Sequence, residues 1–499
     1  MLGLMQDWPM VVTRFLDHAA EQHSDTEIVT ATVEGGMHRY TYKDCHVRSK
    51  KLAQALQKFG IKIGDRVATL AWNTYRHVEA WYGIAGIGAV AHTINPRLFA
   101  EQIIYIANHA EDRLLLVDLT FVPLVEALQD KLTSIEAYVI LTDKEHMPET
   151  SLKNVICYED FVEAEDGDFK WPEFDENTAA GLCYTSGTTG NPKGVLYSHR
   201  SNVLHTFAAI STDTLGLSAR DTILPVVPMF HANAWGIPYA TAATGAKLVL
   251  NGPVFDGENM YKLLQAEKVT RTAAVPTVWL MLLDYMQKNN LTLDDMKSVT
   301  IGGSAAPRSM IEAFQENYGI EVTHAWGMTE TSPIGTVGTL NQHTKDVSGK
   351  EKVDLQCKQG RAPFGVELKI TDGDGKELPH DGKAFGHLLV RGPWIVKEYF
   401  KSEGGVIVDE DGWFDTGDVA TIDPAGYMQI TDRSKDGVKS GGEWISSIEL
   451  ENAAVGHPAV AEAAVIGVYH PKWDERPLVI CILKEGASLT REEMHDYLS

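Results

Sequence analysis

The sequence predicts an α/β protein: a large, multi-lobed N-terminal domain of mixed and parallel sheets, then a small α+β C-terminal domain. Three observations carry that expectation. The chain has 499 residues, more than one compact core usually accommodates. Its first half alternates apolar runs of strand length with segments of helical periodicity, the pattern of a largely parallel sheet layered with helices. Near Asp432 the texture changes to a charged turn followed by a short, strand-rich stretch.

Each element has its own signal. Leu52, Leu56 and Phe59 repeat at helical spacing, with Val47 one turn earlier. Gly64-Asp65 turns the chain into an apolar run at 67–72. A helix pattern follows on Val78, Trp81 and Ile84, then a second run at 89–94. Further strand-like runs lie at 113–118, 137–143, 180–184 and 247–250. A strand at 298–303 leads to Pro307, read as a first helical residue, with Ile311, Phe314 and Tyr318 on one face and Gly319 as the stop. Segment 344–360 is polar and reads as a solvated connection. After a strand at 427–431 the chain divides: 1–431 is the large domain, 432–435 a charged turn, for which the resemblance given below implies a hinge, and 436–499 the small domain. In the small domain, Ser446 and Glu449 form a capping-box pattern that opens a helix at 448–455. Strands at 460–469 and 478–483 follow, and Thr490-x-x-Glu493 starts a last helix.

Composition excludes some function classes. The formal charge of −24 argues against a nucleic acid partner, because such binding relies on Lys and Arg neutralising phosphates. No apolar run reaches membrane-spanning length, and the first ten residues carry no Lys or Arg. The expectation is therefore a cytoplasmic protein without a membrane span. Cys45, Cys157, Cys183, Cys357 and Cys481 are scattered and form no C-x-x-C pair, as expected of free thiols in a reducing compartment.

The chemistry concentrates in ordered blocks. Thr185-Ser186-Gly187-Thr188-Thr189-Gly190-Asn191-Pro192-Lys193-Gly194 follows a predicted strand. Its glycines let the backbone bend around an anion, four hydroxyls can donate to phosphate oxygens, and Lys193 adds positive charge. It is not the P-loop, which needs Gly-Lys-Ser/Thr, because here Lys193 is followed by Gly194. Gly302-Gly303-Ser304-Ala305-Ala306-Pro307 allows a flat ring to approach the backbone. Trp326-Gly327-Met328-Thr329-Glu330 offers an aromatic face, a hydroxyl and a carboxylate; Mg²⁺ takes such hard oxygens and often only one or two from protein. Asp418, in Thr416-Gly417-Asp418, can accept two hydroxyls.

These blocks, in this order, resemble those of the adenylate-forming superfamily, which includes acyl-CoA synthetases, firefly luciferase and peptide-synthetase adenylation domains. The resemblance spans essentially the whole chain. It implies ATP, Mg²⁺ and coenzyme A as cofactors and substrates. It implies that Thr185, Ser186, Gly187, Thr188, Thr189, Gly190 and Lys193 cradle the phosphates, and that Gly303, Ser304, Ala305, Ala306, Pro307 and Trp326 hold adenine. Thr329 would hold the α-phosphate, Glu330 the metal, and Asp418 with Arg433 the ribose. His231, in Pro228-Met229-Phe230-His231, would be the aromatic gate beside the substrate carboxylate. Lys435 matches the hinge, and Lys439 would face the active site in a second domain pose. Ser440, Gly441, Gly442, Glu443 and Trp444 would line the coenzyme A tunnel, which makes free coenzyme A the expected acceptor in place of a carrier protein.

The acyl pocket is implied at His231, Trp235, Gly302, Gly327 and Pro333. Acetate-specific relatives carry a Trp at the position of Gly327, so acetate should underfill this pocket, while Trp235 should exclude long chains. The pattern is close to the 3-methylmercaptopropionate–CoA ligases of marine bacteria, which implies that acid as the leading substrate. The family's adenylation lysine lies in a Gly-Lys pattern near the C-terminus. No such pattern closes this chain, so the expectation is a small domain whose C-terminal end is missing. A homodimer is the family-level expectation.

Overall fold

The computed structural model describes residues 1, 3–185, 191–433, 438–440, 443–445, 447–471, 474–484 and 486–498; at 433, 438–440, 443–445, 448–449 and 474–475 only the backbone is described. Two large sheets dominate. The first has eight strands in the order Ile334–Val337, Glu321–Gly327, Ser298–Ile301, Arg271–Ala274, Thr222–Pro225, Lys247–Leu250, Glu27–Ala31 and Met37–Thr41. Its inner strands are parallel and its two edge strands antiparallel. The second has seven strands in the order Val155–Cys157, Ala137–Ile140, Asp112–Val117, Arg66–Leu70, Val90–Thr93, Ala179–Tyr184 and Gly194–Ser198, parallel except for the last pair.

Helix Tyr75–Gly86 packs on strands of both sheets, and every one of its residues is buried. Its composition (Val78, Ala80, Trp81, Tyr82, Ile84, Ala85) is apolar around nearly its full circumference, as a helix without a solvent face requires. Thr74 caps it by accepting the His77 N–H. The largest apolar core runs along this helix and joins the sheets into one body.

Two smaller sheets complete the chain. Glu367–Thr371, Phe385–Arg391, Phe414–Ile422 and Met428–Arg433 form an antiparallel meander. In the small domain, Glu443–Ile445, Val438–Ser440, Asp474–Leu483 and Val460–His470 pair antiparallel, flanked by helices Ser447–Val455 and Arg491–Leu498. The second capping box is present: Thr490 N–H donates to Glu493 at 2.8 Å, and Glu493 N–H to Thr490 Oγ1 at 3.2 Å. Among the described residues no helix is long and apolar enough to cross a membrane.

Two expectations are corrected. Segment 344–360 is not simply a solvated connection: helix Gly349–Cys357 lies within it, buries Val353, and sends Gln356 to the Val322 carbonyl at 2.9 Å. Pro307 is not the first helical residue. It is extended (φ −60°, ψ 137°) and caps helix Arg308–Glu312, which widens over Ala313–Asn317 before Gly319.

Candidate active site

Parallel strands leave their carboxyl ends on one side, and ligands of open α/β sheets gather there. Val227, Val275, Gly302 and Gly327 all lie at or just beyond such ends, and all line one chamber. Its other walls include His231, Trp235, Thr300, Thr329, Pro333, Ile334 and Val337. About 800 Å³ is free of protein atoms, counting the solvent-open mouth.

The outer wall is a strained turn. Ala232, Asn233, Ala234, Trp235 and Gly236 all have positive φ, between 42° and 73°, where each L-residue costs about 1–2 kcal/mol. Burial and specific contacts hold it. Asn233 is 5% exposed and accepts the Cys183 thiol at 3.4 Å. At Gly236 a Cβ would lie 2.9 Å from the His205 ring. The turn swings the Trp235 ring over Gly302, where a Cβ would come within 2.9 Å of it. Gly302 is therefore the clearance for Trp235. His231 opens the turn and lines the chamber. Desolvation by its surroundings, with Arg97 close by, lowers its pKa.

Gly327 answers to a nearer neighbour than the ligand. A Cβ there would sit 1.9 Å from the Pro333 carbonyl oxygen, a backbone atom that cannot turn aside. The expectation that Gly327 simply leaves room for substrate is thus incomplete: the glycine is required by the chain itself.

The polar end of the chamber is built around Thr329 and Glu330, 8% and 7% exposed. Tyr197 donates its hydroxyl to the Thr329 carbonyl at 2.7 Å, and Val396 N–H donates to the Glu330 carbonyl at 2.8 Å. Tyr399 donates to Glu330 Oε1 at 2.8 Å. Burial raises the Glu330 pKa, while the Tyr399 bond and the charge of Lys193 pull it down. The Lys193 ammonium stands 4.8 Å from the centre of the Tyr399 ring. The ends of the expected phosphate loop are stapled, with Thr185 N–H donating to the Lys193 carbonyl at 2.9 Å and Lys193 N–H to Thr185 Oγ1 at 3.1 Å. Ser186, Gly187, Thr188, Thr189 and Gly190 lie outside the described residues.

Trp326 Nε1 donates to Asp418 Oδ2 at 3.0 Å, which ties the first sheet to the meander. The indole packs against Gly335, where a Cβ would be 2.2 Å from it, so the ring is fixed before any ligand arrives. Gly303 (φ +83°) turns the chain into Ser304 and Ala305. Ala306 N–H donates to His324 Nε2 at 3.3 Å, and the other ring nitrogen is 3.2 Å from the Gln356 carbonyl.

The structure therefore brings together Lys193, His231, Trp235, Gly302, Gly303, Trp326, Gly327, Thr329, Glu330, Pro333 and Asp418. Arg433 pairs with Asp418 through the backbone of adjacent strands. Lys439, Ser440, Glu443 and Trp444 lie on a hairpin in which Ser440 faces Glu443 and Lys439 faces Trp444. Lys435, Gly441 and Gly442 lie outside the described residues. Sequence reasoning missed Tyr399, Tyr197, His205 and His324. None sits in a motif, and only the fold makes them neighbours of one.

Comparison with known proteins shows the family. A family model described as "AMP-binding enzyme" matches residues 16–400, and one described as "AMP-binding enzyme C-terminal domain" matches 449–499. The chain is 50% identical over 498 residues to a 3-methylmercaptopropionyl-CoA ligase of Ruegeria lacuscaerulensis, covering 100% of this chain and 92% of the relative. It is also 50% identical over 499 residues to a medium-chain-fatty-acid–CoA ligase of Ectopseudomonas oleovorans, covering 100% and 91%. Among solved structures, the anthranilate CoA ligase AuaEII in complex with anthranoyl-AMP superposes with a TM-score of 0.86 over 99% of this chain and 92% of that one; at 24% identity it speaks to the fold alone.

Proposed function

The chain belongs to the AMP-binding enzyme family, and from that premise we infer that it is an ATP-dependent acid–thiol ligase, which joins a short-to-medium-chain carboxylic acid to coenzyme A through an acyl-adenylate. The leading acid is 3-methylmercaptopropionate. The carrying observation is the apolar chamber whose lining includes His231, Trp235 and Thr329, the last adjoining Glu330 in the chain. An acid lying in it with its tail under Trp235 presents its carboxylate to His231 and Thr329. The 50% identical relatives, one named for 3-methylmercaptopropionate and one for medium-chain fatty acids, support the substrate class.

In this reading a carboxylate oxygen attacks the α-phosphorus of ATP and pyrophosphate leaves. The coenzyme A thiol then attacks the acyl carbon and AMP leaves. Lys193 neutralises charge at the phosphates, and Thr329 binds at the α-phosphate, so catalysis rests on positioning and electrostatics. Glu330, fixed by Tyr399, fits a Mg²⁺ ion. No group of three His, Cys, Asp or Glu side chains converges among the described residues, and Mg²⁺ on a nucleotide completes its shell with phosphates and water. When bound, the ion would spread the charge of the leaving group. Gly303 to Pro307 and Trp326 form the adenine side, and Asp418 with Arg433 the ribose side. We place the domain boundary at 431/432 and the hinge at 432–435, about which Lys439 and the Ser440–Trp444 hairpin would approach the thiol. A cytoplasmic location is supported by the five free cysteines.

The test is pyrophosphate release across acids from acetate to decanoate, with 3-methylmercaptopropionate and aromatic acids, with and without coenzyme A. Coenzyme A-dependent turnover that peaks at chains of about four to six atoms is the expected result. Absence of acid-dependent release would overturn the ligase reading.

A further inference from the structure

Beside Tyr184 and Thr185 lies a polar cluster that the reaction itself does not call for. Helix Ala100–Ala110 carries Tyr105 and His109, four residues apart and therefore on one face. Their rings stack at 5.3 Å and 11°. His109 Nδ1 is 2.7 Å from the hydroxyl of Tyr184, the last residue of its strand and the immediate neighbour of Thr185. Its other nitrogen is 3.5 Å from Glu403 Oε1, which also accepts the Tyr105 hydroxyl at 2.9 Å. Glu403 belongs to a strap that begins at Tyr399, the residue bonded to Glu330. Phe400 of the same strap meets His109 edge-on at 5.7 Å and packs against Gly194, where a Cβ would be 3.0 Å away.

We propose that Tyr105, His109, Tyr184 and Glu403 are positioning residues that fix the two ends of the phosphate segment, at Thr185 and Gly194, and tie them to the strap that holds Glu330. The proposal rests on the reading of 185–194 as the nucleotide site. An apolar contact would join helix and strap at least as firmly, since partly buried polar networks add little net stability. What directional bonds add is one geometry, and both ends of an anion-binding segment need one. None of the four side chains needs to touch the substrates. Their effect is carried by Thr185, by Gly194 through Phe400, and, through Tyr399, by Glu330.

The experiment is calorimetric titration of the full chain with ATP and Mg²⁺, for Tyr184→Phe, Glu403→Gln, the double variant, His109→Leu and His109→Asn, together with KM for the acid and Tm. Each single loss should weaken ATP binding about 3- to 10-fold, the value of one hydrogen bond in such a network, and leave KM for the acid within about twofold. The double variant should lose less than the product of the singles, because both act on one network. His109→Asn, which keeps a polar atom for Tyr184, should recover part of what His109→Leu loses. Unchanged ATP affinity in folded Tyr184→Phe and Glu403→Gln would overturn the proposal. So would equal weakening of ATP and acid with a lowered Tm, which marks a general structural role. Wild-type protein that binds ATP but releases no pyrophosphate with any acid would instead sink the ligase reading and leave the affinity test of the cluster standing.

Discussion

Tyr399 donates its hydroxyl hydrogen to Glu330 Oε1 at 2.8 Å, inside a site that otherwise pushes that carboxyl toward its neutral form. Burial disfavours the carboxylate and keeps the pKa raised; the Tyr399 bond and Lys193 offset part of that. The metal-binding form is the carboxylate. Tyr399→Phe should therefore raise the Glu330 pKa further and move the acid limb of kcat/KM to higher pH, with turnover lost earlier as pH falls. The pH profile of pyrophosphate release checks this. An acid limb at the wild-type position would detach Tyr399 from the ionisation of Glu330.

Trp235 and Gly302 form one size filter. Trp235→Ala removes the ring that crosses Gly302 and should favour longer acids. Gly302→Ala places a Cβ 2.9 Å from the ring and 3.1 Å from the Ala325 carbonyl, so the ring must shift into the chamber and shorten the preferred chain. Each methylene gained or lost is worth about 1–3 kcal/mol, or roughly 10- to 200-fold in kcat/KM. Ratios of kcat/KM for decanoate over butyrate should move in opposite directions in the two variants. If both move the same way, the filter lies elsewhere.

The layered sheets were legible because apolar runs of strand length and helical periodicity alternate so regularly between 47 and 250. In the first sheet, strand Ser298–Ile301 was legible from the apolar run at 298–303. Three features were not. Helix Gly349–Cys357 is polar along most of its length and is held by Val353 and the side chain of Gln356, so no apolar stripe announces it. Ala232–Gly236 has the composition of an ordinary helix start, and its left-handed course follows from tertiary contacts at Asn233 and His205. Tyr399 is 69 residues from Glu330 along the chain, and a single sequence carries no sign of that meeting.

Gly327 separates a steric role from a specificity role. Gly327→Ala drives a methyl toward the Pro333 carbonyl, 1.9 Å from the ideal Cβ position, and the backbone must open between strands Glu321–Gly327 and Ile334–Val337. Overpacking of this kind costs about 1–3 kcal/mol. Thermal denaturation should register a lower Tm, and turnover should fall for every acid together. A variant of unchanged Tm that merely prefers acetate would mean that Gly327 serves pocket size alone.

His324 makes stability depend on pH. It is fully buried, and desolvation lowers its pKa to about 4. Its Nε2 accepts the Ala306 N–H of the turn that lines the chamber, so the neutral ring is the form this site uses. The unfolded chain takes up the proton near pH 6.5 and the folded chain does not until about pH 4. Between those values the unfolded state binds more protons, so stability falls as pH falls, on the order of 1.4 kcal/mol for each unit of the shift. His77, His199 and His205, also buried and lowered to about 4, 4 and 3, add slopes of the same sign. Urea midpoints at pH 7.5 and 5.0 should therefore differ, with the lower midpoint in acid. His324→Gln can still meet the Ala306 N–H with its amide oxygen but cannot titrate, so it should be less stable than wild type at pH 7.5 and lose less on acidification. Equal acid losses in wild type and His324→Gln would show that the folded ring is protonated as readily as the unfolded one.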